Sequence, residues 1–292
     1  MLEPLAAAIS AFQAARPVSA TDDAVWRLEV LMPRKPDPRR IAALLEKAIE
    51  DRSLSARSMQ VRRVPKVDWV ARVASRTPPL RLGRYFVHGS HISAVPPGSL
   101  GLKIDAGAAF GTGLHGTTRG SLAALDRLAS RATVSRTLDI GCGSGVLAVA
   151  MAKTWHRPVW AVDIDRVAAG ETRANARANG VAHLIHTRCG DALCAPGISR
   201  AGPYSIIAAN ILEGPLRKMS SALARHLSPG GSAVLSGLLP DQAERVRARY
   251  RALGLRLRHR IEIDGWVTLL PQKPSYSAAS TQQSSVSNRP SG

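Results

Sequence analysis

Only three cysteines occur in the 292 residues: Cys142, Cys189 and Cys194. They form no paired framework and have no metal-site spacing, so neither a disulfide scaffold nor a structural metal centre is expected, and a reducing cytoplasm suits them. Aromatic residues make up 4% of the chain, and no aromatic-rich RNA-binding motif is present. No apolar run approaches the roughly 20 residues of a membrane span. The N-terminus lacks the basic start of a secretory signal, since its first charge is Glu3. Lysine is also scarce: seven of the 40 basic residues are lysine and the rest arginine, giving a net charge of +19. The chain is expected to be a cytoplasmic monomer with no membrane association.

What the chain does have is a glycine turn between an apolar strand and a helix. In Thr137-Leu-Asp-Ile-Gly-Cys-Gly-Ser-Gly-Val146, glycines stand at 141, 143 and 145, directly after Asp139. That is one residue tighter than the dinucleotide pattern G-x-G-x-x-G, whose third position falls on Val146. The spacing Asp-x-Gly-x-Gly-x-Gly resembles the first motif of S-adenosylmethionine-dependent methyltransferases. Glycine lets the backbone turn sharply and approach a ligand closely. Cys142 within the turn needs only to be small and neutral. A second acid, Asp163, ends the apolar stretch Pro158-Val-Trp-Ala-Val. An acid about 20 residues beyond such a turn can bind a ribose diol.

Two further segments carry chemistry. Ala109-Phe-Gly-Thr-Gly-Leu-His-Gly-Thr-Thr118 is a glycine-rich loop opening a helix, with Thr117 and Thr118 placed to cap it and to offer hydroxyls. It lacks the Lys-Ser/Thr ending of a P-loop, which argues against nucleotide hydrolysis. In Ile206-Ile-Ala-Ala-Asn-Ile-Leu-Glu-Gly-Pro-Leu216, an apolar strand ends in Asn210, at the edge where open α/β sheets bind ligands.

The pattern along the chain predicts a small N-terminal α+β domain over 1–64. It contains a helix near Leu2–Phe12, a strand over 24–31, a helix over 39–50 and a strand over 56–64. Five prolines make 65–104 read as a connecting segment. From about 105, strands and helices alternate, as in a parallel sheet covered on both faces. The expected helices are 116–130, 166–179 with Gly180 as C-terminal cap, 215–227 and 240–253. The expected strands end at Asp139 and Asp163, then cover 183–187, 204–209 and 232–236. Asp264-Gly265 between 255–263 and 266–270 signals a closing antiparallel hairpin. From Gln272 the Ser/Gln/Pro/Asn-rich stretch to 292 reads as a disordered tail.

Together, Gly-Thr-Gly-Leu-His-Gly-Thr-Thr, Asp-Ile-Gly-Cys-Gly-Ser-Gly, Asp163-Ile-Asp165 and Asn-Ile-Leu-Glu-Gly-Pro-Leu resemble the PrmA family, the bacterial methyltransferases of large-subunit ribosomal protein eleven. The resemblance covers about 65–271, Asp68-Trp69 included. It implies a Rossmann-like class I methyltransferase domain over 105–271 and S-adenosylmethionine as cofactor. It also implies methylation of lysine side-chain and N-terminal amines of that ribosomal protein. Thr118, Gly141, Asp163 and Asn210 would contact the cofactor, with Asp163 on the ribose. Asn210 would sit between cofactor and acceptor. Phe110, Gly111, Thr112 and Gly113 would help close the site, and no metal is implied. The family often carries Thr or His at Leu114, Pro at Gly116 and Ala at Glu213. Glu213 suits a helix start, or else attracts the incoming ammonium. His115 is read as ordering the loop. A nucleic-acid methyltransferase on the same fold is the competing reading. Asn210-Ile-Leu lacks the Pro-Pro-aromatic that follows Asn in adenine-N6 enzymes. The arginine cluster 245–260 suits weak contact with RNA or acidic partners, or a merely solvated face.

Overall fold

The computed structural model describes residues 8–13, 26–33, 35–39, 41, 43, 60–61, 78–105, 115–130 and 134–275. The chain divides into two compact units, Met1–Val67 and Asp68–Gly292.

In the first unit, β1 (Ala8–Gln13) pairs antiparallel with β2 (Trp26–Leu31), from Ala8 opposite Leu31 to Gln13 opposite Trp26. The expected N-terminal helix is therefore a strand where it is described. A short apolar run fits either element, and here a partner strand supplies the backbone hydrogen bonds. Pro38, Arg39, Ile41 and Ala43 are helical. The remainder of the expected 39–50 helix, nearly all of the 56–64 strand, and Asp68-Trp69 lie outside the described residues.

In the second unit, three short strands occupy the segment read as a connector. β3 (Leu80–Leu82) runs antiparallel to β4 (Tyr85–His88), and β4 pairs parallel with β5 (Leu100–Lys103). Strands of three or four residues are too short to show a period, which is why the prolines dominate the sequence pattern.

The main sheet has seven strands. Four alternate with helices in chain order: β6 (Thr137–Ile140), β7 (Val159–Asp163), β8 (Ile185–Cys189) and β9 (Tyr204–Asn210). β10 (Leu227–Leu238) follows, then the hairpin β11 (Arg256–Ile263) and β12 (Trp266–Gln272). Their spatial order is β11-β12-β10-β9-β6-β7-β8. β6 is parallel to both β7 and β9, and β10 to β9, while β12 runs antiparallel to β10. Asp264 and Gly265 at the hairpin tip both have positive φ, 52° and 77°, as a type I′ turn requires.

The helices are α1 (Gly116–Leu128), α2 (Val146–Trp155), α3 (Arg166–Ala178), the single turn α4 (Ile198–Ala201), α5 (Glu213–Lys218), α6 (Ser220–His226) and α7 (Pro240–Ala252). Val146 to Ala152 are all buried, so α2 is apolar on every side and wedged within the fold. One core joins α1, α2 and β3–β5 to one face of the sheet. A second joins β6, β9, β10 and β12 to α5–α7 on the other face. β9 feeds both by alternation: Ile206 and Ala208 enter the first, Ile207 and Ala209 the second. The expected 215–227 helix is two short helices meeting at Met219.

Gln272 to Pro274 continue the fold rather than beginning a tail. Lys273 Nζ donates to the Ala224 and Leu227 carbonyls at 2.9 and 2.8 Å, satisfying the end of α6. Residues 276–292 lie outside the described residues.

Candidate active site

β6 is the point where chain order reverses, with β7 and β8 on one side and β9 and β10 on the other. Open α/β sheets leave a crevice at the strand C-termini of such a point. Gly141, Asp163 and Asn210 stand at or just after the ends of β6, β7 and β9, and Thr118 lies in the first turn of α1.

The glycine turn is held in place from two directions. Gly141, Gly143 and Gly145 have φ of 69°, 53° and 81°, the left-handed region where a Cβ is costly. The Gly141 and Cys142 amides donate to the Val162 carbonyl, at 2.8 and 3.2 Å. Asp163 Oδ2 accepts from the Gly143 amide at 2.9 Å, and its Oδ1 accepts from the Asp165 amide at 3.0 Å. From α3, Thr172 Oγ1 donates to the Gly143 carbonyl and Asn175 Nδ2 to the Ser144 carbonyl, at 2.9 and 2.8 Å.

Asp139 lies beneath this turn, 1% exposed. Its Oδ2 accepts the Ala148 amide at 3.0 Å, and its Oδ1 has no partner among the described residues. Burial pushes its pKa up to about 7; the Ala148 bond opposes that shift and the nearby Asp163 charge adds to it. Burial likewise raises the Cys142 thiol far above its ordinary range, so this cysteine is a packing group.

On the other side, Asn210 Nδ2 stands 3.5 Å from Thr118 Oγ1, the outer limit of a hydrogen bond. Thr118 is fully buried and Asn210 partly exposed. The next residue, Ile211, lies where a side chain at Gly141 would overlap its Cγ2 atom. The glycine turn and the Asn210 segment are therefore in close contact, and all four predicted residues line one edge of the sheet.

The imidazole of His115, not the threonines, caps α1. His115 Nδ1 accepts the Thr117 amide at 3.4 Å and lies 2.9 Å from Thr117 Oγ1. Its ring sits 5.0 Å from that of Trp266. Gly116 is accounted for by the same hairpin. A Cβ there would come within 2.8 Å of the Ile263 carbonyl oxygen, so a larger residue would need the hairpin to shift. Phe110, Gly111, Thr112, Gly113 and Leu114 lie outside the described residues.

Glu213 is already occupied. Arg245 donates to both its oxygens, at 2.8 and 3.0 Å, and Arg217 lies 3.4 Å away. The Arg245 hydrogen bonds lead in holding its carboxyl below the usual range. It is a helix-start acid tied to α7 rather than a receptor for an ammonium.

One neighbouring segment escaped the sequence reading. After β8, the Gly190 amide donates to the Asp163 carbonyl at 2.8 Å, and Ala192 has φ of 41°. A non-glycine residue in that region stores strain, and such strain concentrates at ligand sites. The only hint in the sequence was Gly190-Asp191.

The family model described as ribosomal protein L11 methyltransferase (PrmA) matches residues 9–274. The chain belongs to that family. The ribosomal protein L11 methyltransferase of Rhodopseudomonas palustris is 41% identical over 267 residues, covering 91% of this chain and 88% of that protein. The Bradyrhizobium diazoefficiens protein of the same name is 47% identical over 208 residues, or 70% of each chain. Among solved structures, the ribosomal protein L11 methylase of Lactobacillus delbrueckii subsp. bulgaricus superposes with a TM-score of 0.59. It is 23% identical and covers 65% of this chain and 95% of that one, a likeness of fold. A methyltransferase of this family must seat a methyl donor and an amine acceptor side by side. The residues present fit S-adenosylmethionine: a partly exposed carboxylate, Asp163, for a diol, and beside it a turn of positive-φ glycines with no Cβ. Among the described residues, no helix is long and apolar enough to cross a membrane.

Proposed function

We propose that this chain methylates amino groups of ribosomal protein L11, at lysine side chains and the N-terminal amine, with Asn210 aligning the acceptor. When bound, S-adenosylmethionine supplies an electrophilic methyl group on a sulfonium. Thr118, Gly141 and Asp163 hold it, Asp163 through the ribose hydroxyls, and the strained turn at Ala192 walls the side next to Asp163. The observation that carries this reading is the contact of the Asn210-Ile211 segment with both Thr118 and the glycine turn. It leaves the Asn210 amide oxygen, a hydrogen-bond acceptor, beside the residues assigned to the cofactor.

The chemistry asks for alignment and a neutral amine more than for a strong base. A lysine of pKa about 10.4 is neutral in roughly one molecule in 2,500 at pH 7, and neutralising it costs about 4.6 kcal/mol. Burial beside a cation lowers that cost, and an α-amine of pKa near 8 needs far less help. Asn210 accepts the amine N–H and aims the lone pair; the proton leaves through water. Residues 1–64, in whose sequence no residue set suited to chemistry stands out, serve to recognise the protein substrate. The enzyme works as a cytoplasmic monomer, and its basic surface makes a weak contact with RNA. Incubation with labelled S-adenosylmethionine and separated ribosomal proteins and RNAs tests the reading. Label is expected on ribosomal protein L11, and label on RNA alone would establish the competing activity.

A further inference from the structure

We infer that the face formed by α7 and β11 is an RNA-backbone binding surface, with Arg247, Arg251, Arg256 and Arg258 as its phosphate contacts. This rests on and deepens the RNA contact proposed above, and it stands whether or not the methyl transfer is as proposed.

From Arg245 to Arg260 the chain carries seven arginines and no acidic residue. The fold gathers three of them along one groove. α7 and the outer strand β11 flank a groove of about 200 Å³ with an apolar floor that includes Val246, Leu255 and Leu269, and Arg247, Arg251 and Arg256 stand along it. Concentrating like charge in this way opposes folding through self-repulsion. Guarding the open edge of a sheet needs only a charge or a bulge. β11 has its bulge, a register shift between Leu257 and His259 that leaves Arg258 as the extra residue.

The pairing of these arginines separates structural from available charge. Arg245 is spent on Glu213 and Asp241, and Arg260 lies beside Glu262. Arg247 has an exposed i,i+3 pair with Glu244, the weakly held kind that a phosphate can displace. Among the described residues, no carboxylate lies within ion-pair reach of Arg251, Arg256 or Arg258. Arg258 donates to the neutral Gln272 Oε1 at 2.7 Å, which orients the guanidinium without cancelling its charge.

The chemistry of the face favours a polyphosphate. Guanidinium forks match phosphate oxygens bidentately, and a nucleic-acid backbone offers one charge per nucleotide to such a row. A membrane surface would call for apolar anchors, and Leu257 is the exposed large hydrophobic residue of this stretch. Tyr250, the aromatic residue of the segment, is 1% exposed and cannot stack on a base. Binding therefore reads backbone rather than sequence.

The test is fluorescence anisotropy of the full-length chain with a mixed-sequence single-stranded RNA across a salt series. The combined variant Arg251→Gln, Arg256→Gln, Arg258→Gln is compared with Arg157→Gln, Arg173→Gln, Arg177→Gln, which removes equal charge elsewhere. Circular dichroism confirms that both fold. The first variant is expected to weaken binding at least tenfold near 50 mM salt and to lower the salt slope by about 2, from about 0.7 per lost phosphate contact. The second should retain most of the affinity. Equal losses in both variants would overturn the site in favour of diffuse attraction. Absence of RNA binding, or equal binding to polyglutamate or to phosphatidylserine vesicles, would overturn RNA as the partner.

Discussion

Asp163 accepts the backbone amide of Gly143, so the acid that ends β7 also holds the glycine turn that follows β6. Two segments recognised separately in the sequence are thus one unit. Each carboxylate oxygen of Asp163 makes one bond within the protein, to Gly143 and to Asp165, and keeps a further lone pair for a ligand hydroxyl.

Substituting Asp163 by alanine is expected to weaken S-adenosylmethionine binding at least tenfold. Two charge-assisted hydrogen bonds, each about 1.5–3 kcal/mol, are lost. The Val162, Thr172 and Asn175 contacts keep the turn in place. Calorimetric titration reads the affinity and a thermal melt the fold. Unchanged affinity would remove Asp163 from the ribose.

Asn210→Ala is expected to reduce single-turnover methylation of the protein substrate by about 100-fold or more, the loss that follows a 1 Å misplacement. Cofactor affinity should fall by less. The pH profile should keep its shape, because an amide does not titrate. Equal losses in binding and turnover would make Asn210 a cofactor ligand and nothing more.

Asp139 should make the ligand-free protein less stable as pH rises. Its folded pKa, pushed up to about 7, exceeds the ordinary 3.8, so the folded state binds the extra proton between those values. Unfolding free energy therefore falls from about pH 4 to about pH 7 and levels off above, by at most about 4 kcal/mol. Asp139→Asn should flatten that limb in urea titrations at pH 5, 6, 7 and 8. A wild-type curve that rises over this range, or a limb that survives in the variant, would show the carboxyl to be ionised throughout.

Lys273 lies just past the last strand, in the segment expected to be tail. Replacing it with methionine removes two charge-assisted bonds to carbonyls ending α6 and should cost about 1 kcal/mol, given its partial exposure. A melting temperature within half a degree of wild type would show that the contacts are not made in solution.

The parts of the fold legible in the sequence are those fixed by local backbone chemistry. Three glycines after Asp139 can only turn, and Asp264-Gly265 sets its own hairpin geometry. The end of β9 at Asn210 was legible because the apolar run Ile206 to Ala209 stops there. What stayed hidden depends on partners distant in the chain. β1 is a strand because it lies against β2, and β3 to β5 are too short to announce themselves. β10 begins at Leu227, running through Pro229-Gly230-Gly231 that propensity alone rejects, because β9 pairs with it on both sides of a bulge. The commitment of Glu213 to Arg245 joins two helices and leaves no local trace. Nor does any residue preference mark the strained φ of Ala192.

The ring contact of His115 with Trp266, and the 2.5 Å ion pair of Arg119 with Asp264 beside it, join the start of the methyltransferase unit to its last hairpin. On the ribosome these partners emerge in opposite order of need. The helix carrying Thr118 is made first, and the residues that seat its cap arrive roughly 8 to 30 s later, at about 5–20 residues per second. Until Trp266 has been added, the ring against which His115 packs is missing. The cap of α1 is thereby seated only by the far end of the unit, and a chain that stops before the hairpin lacks the packing that holds it.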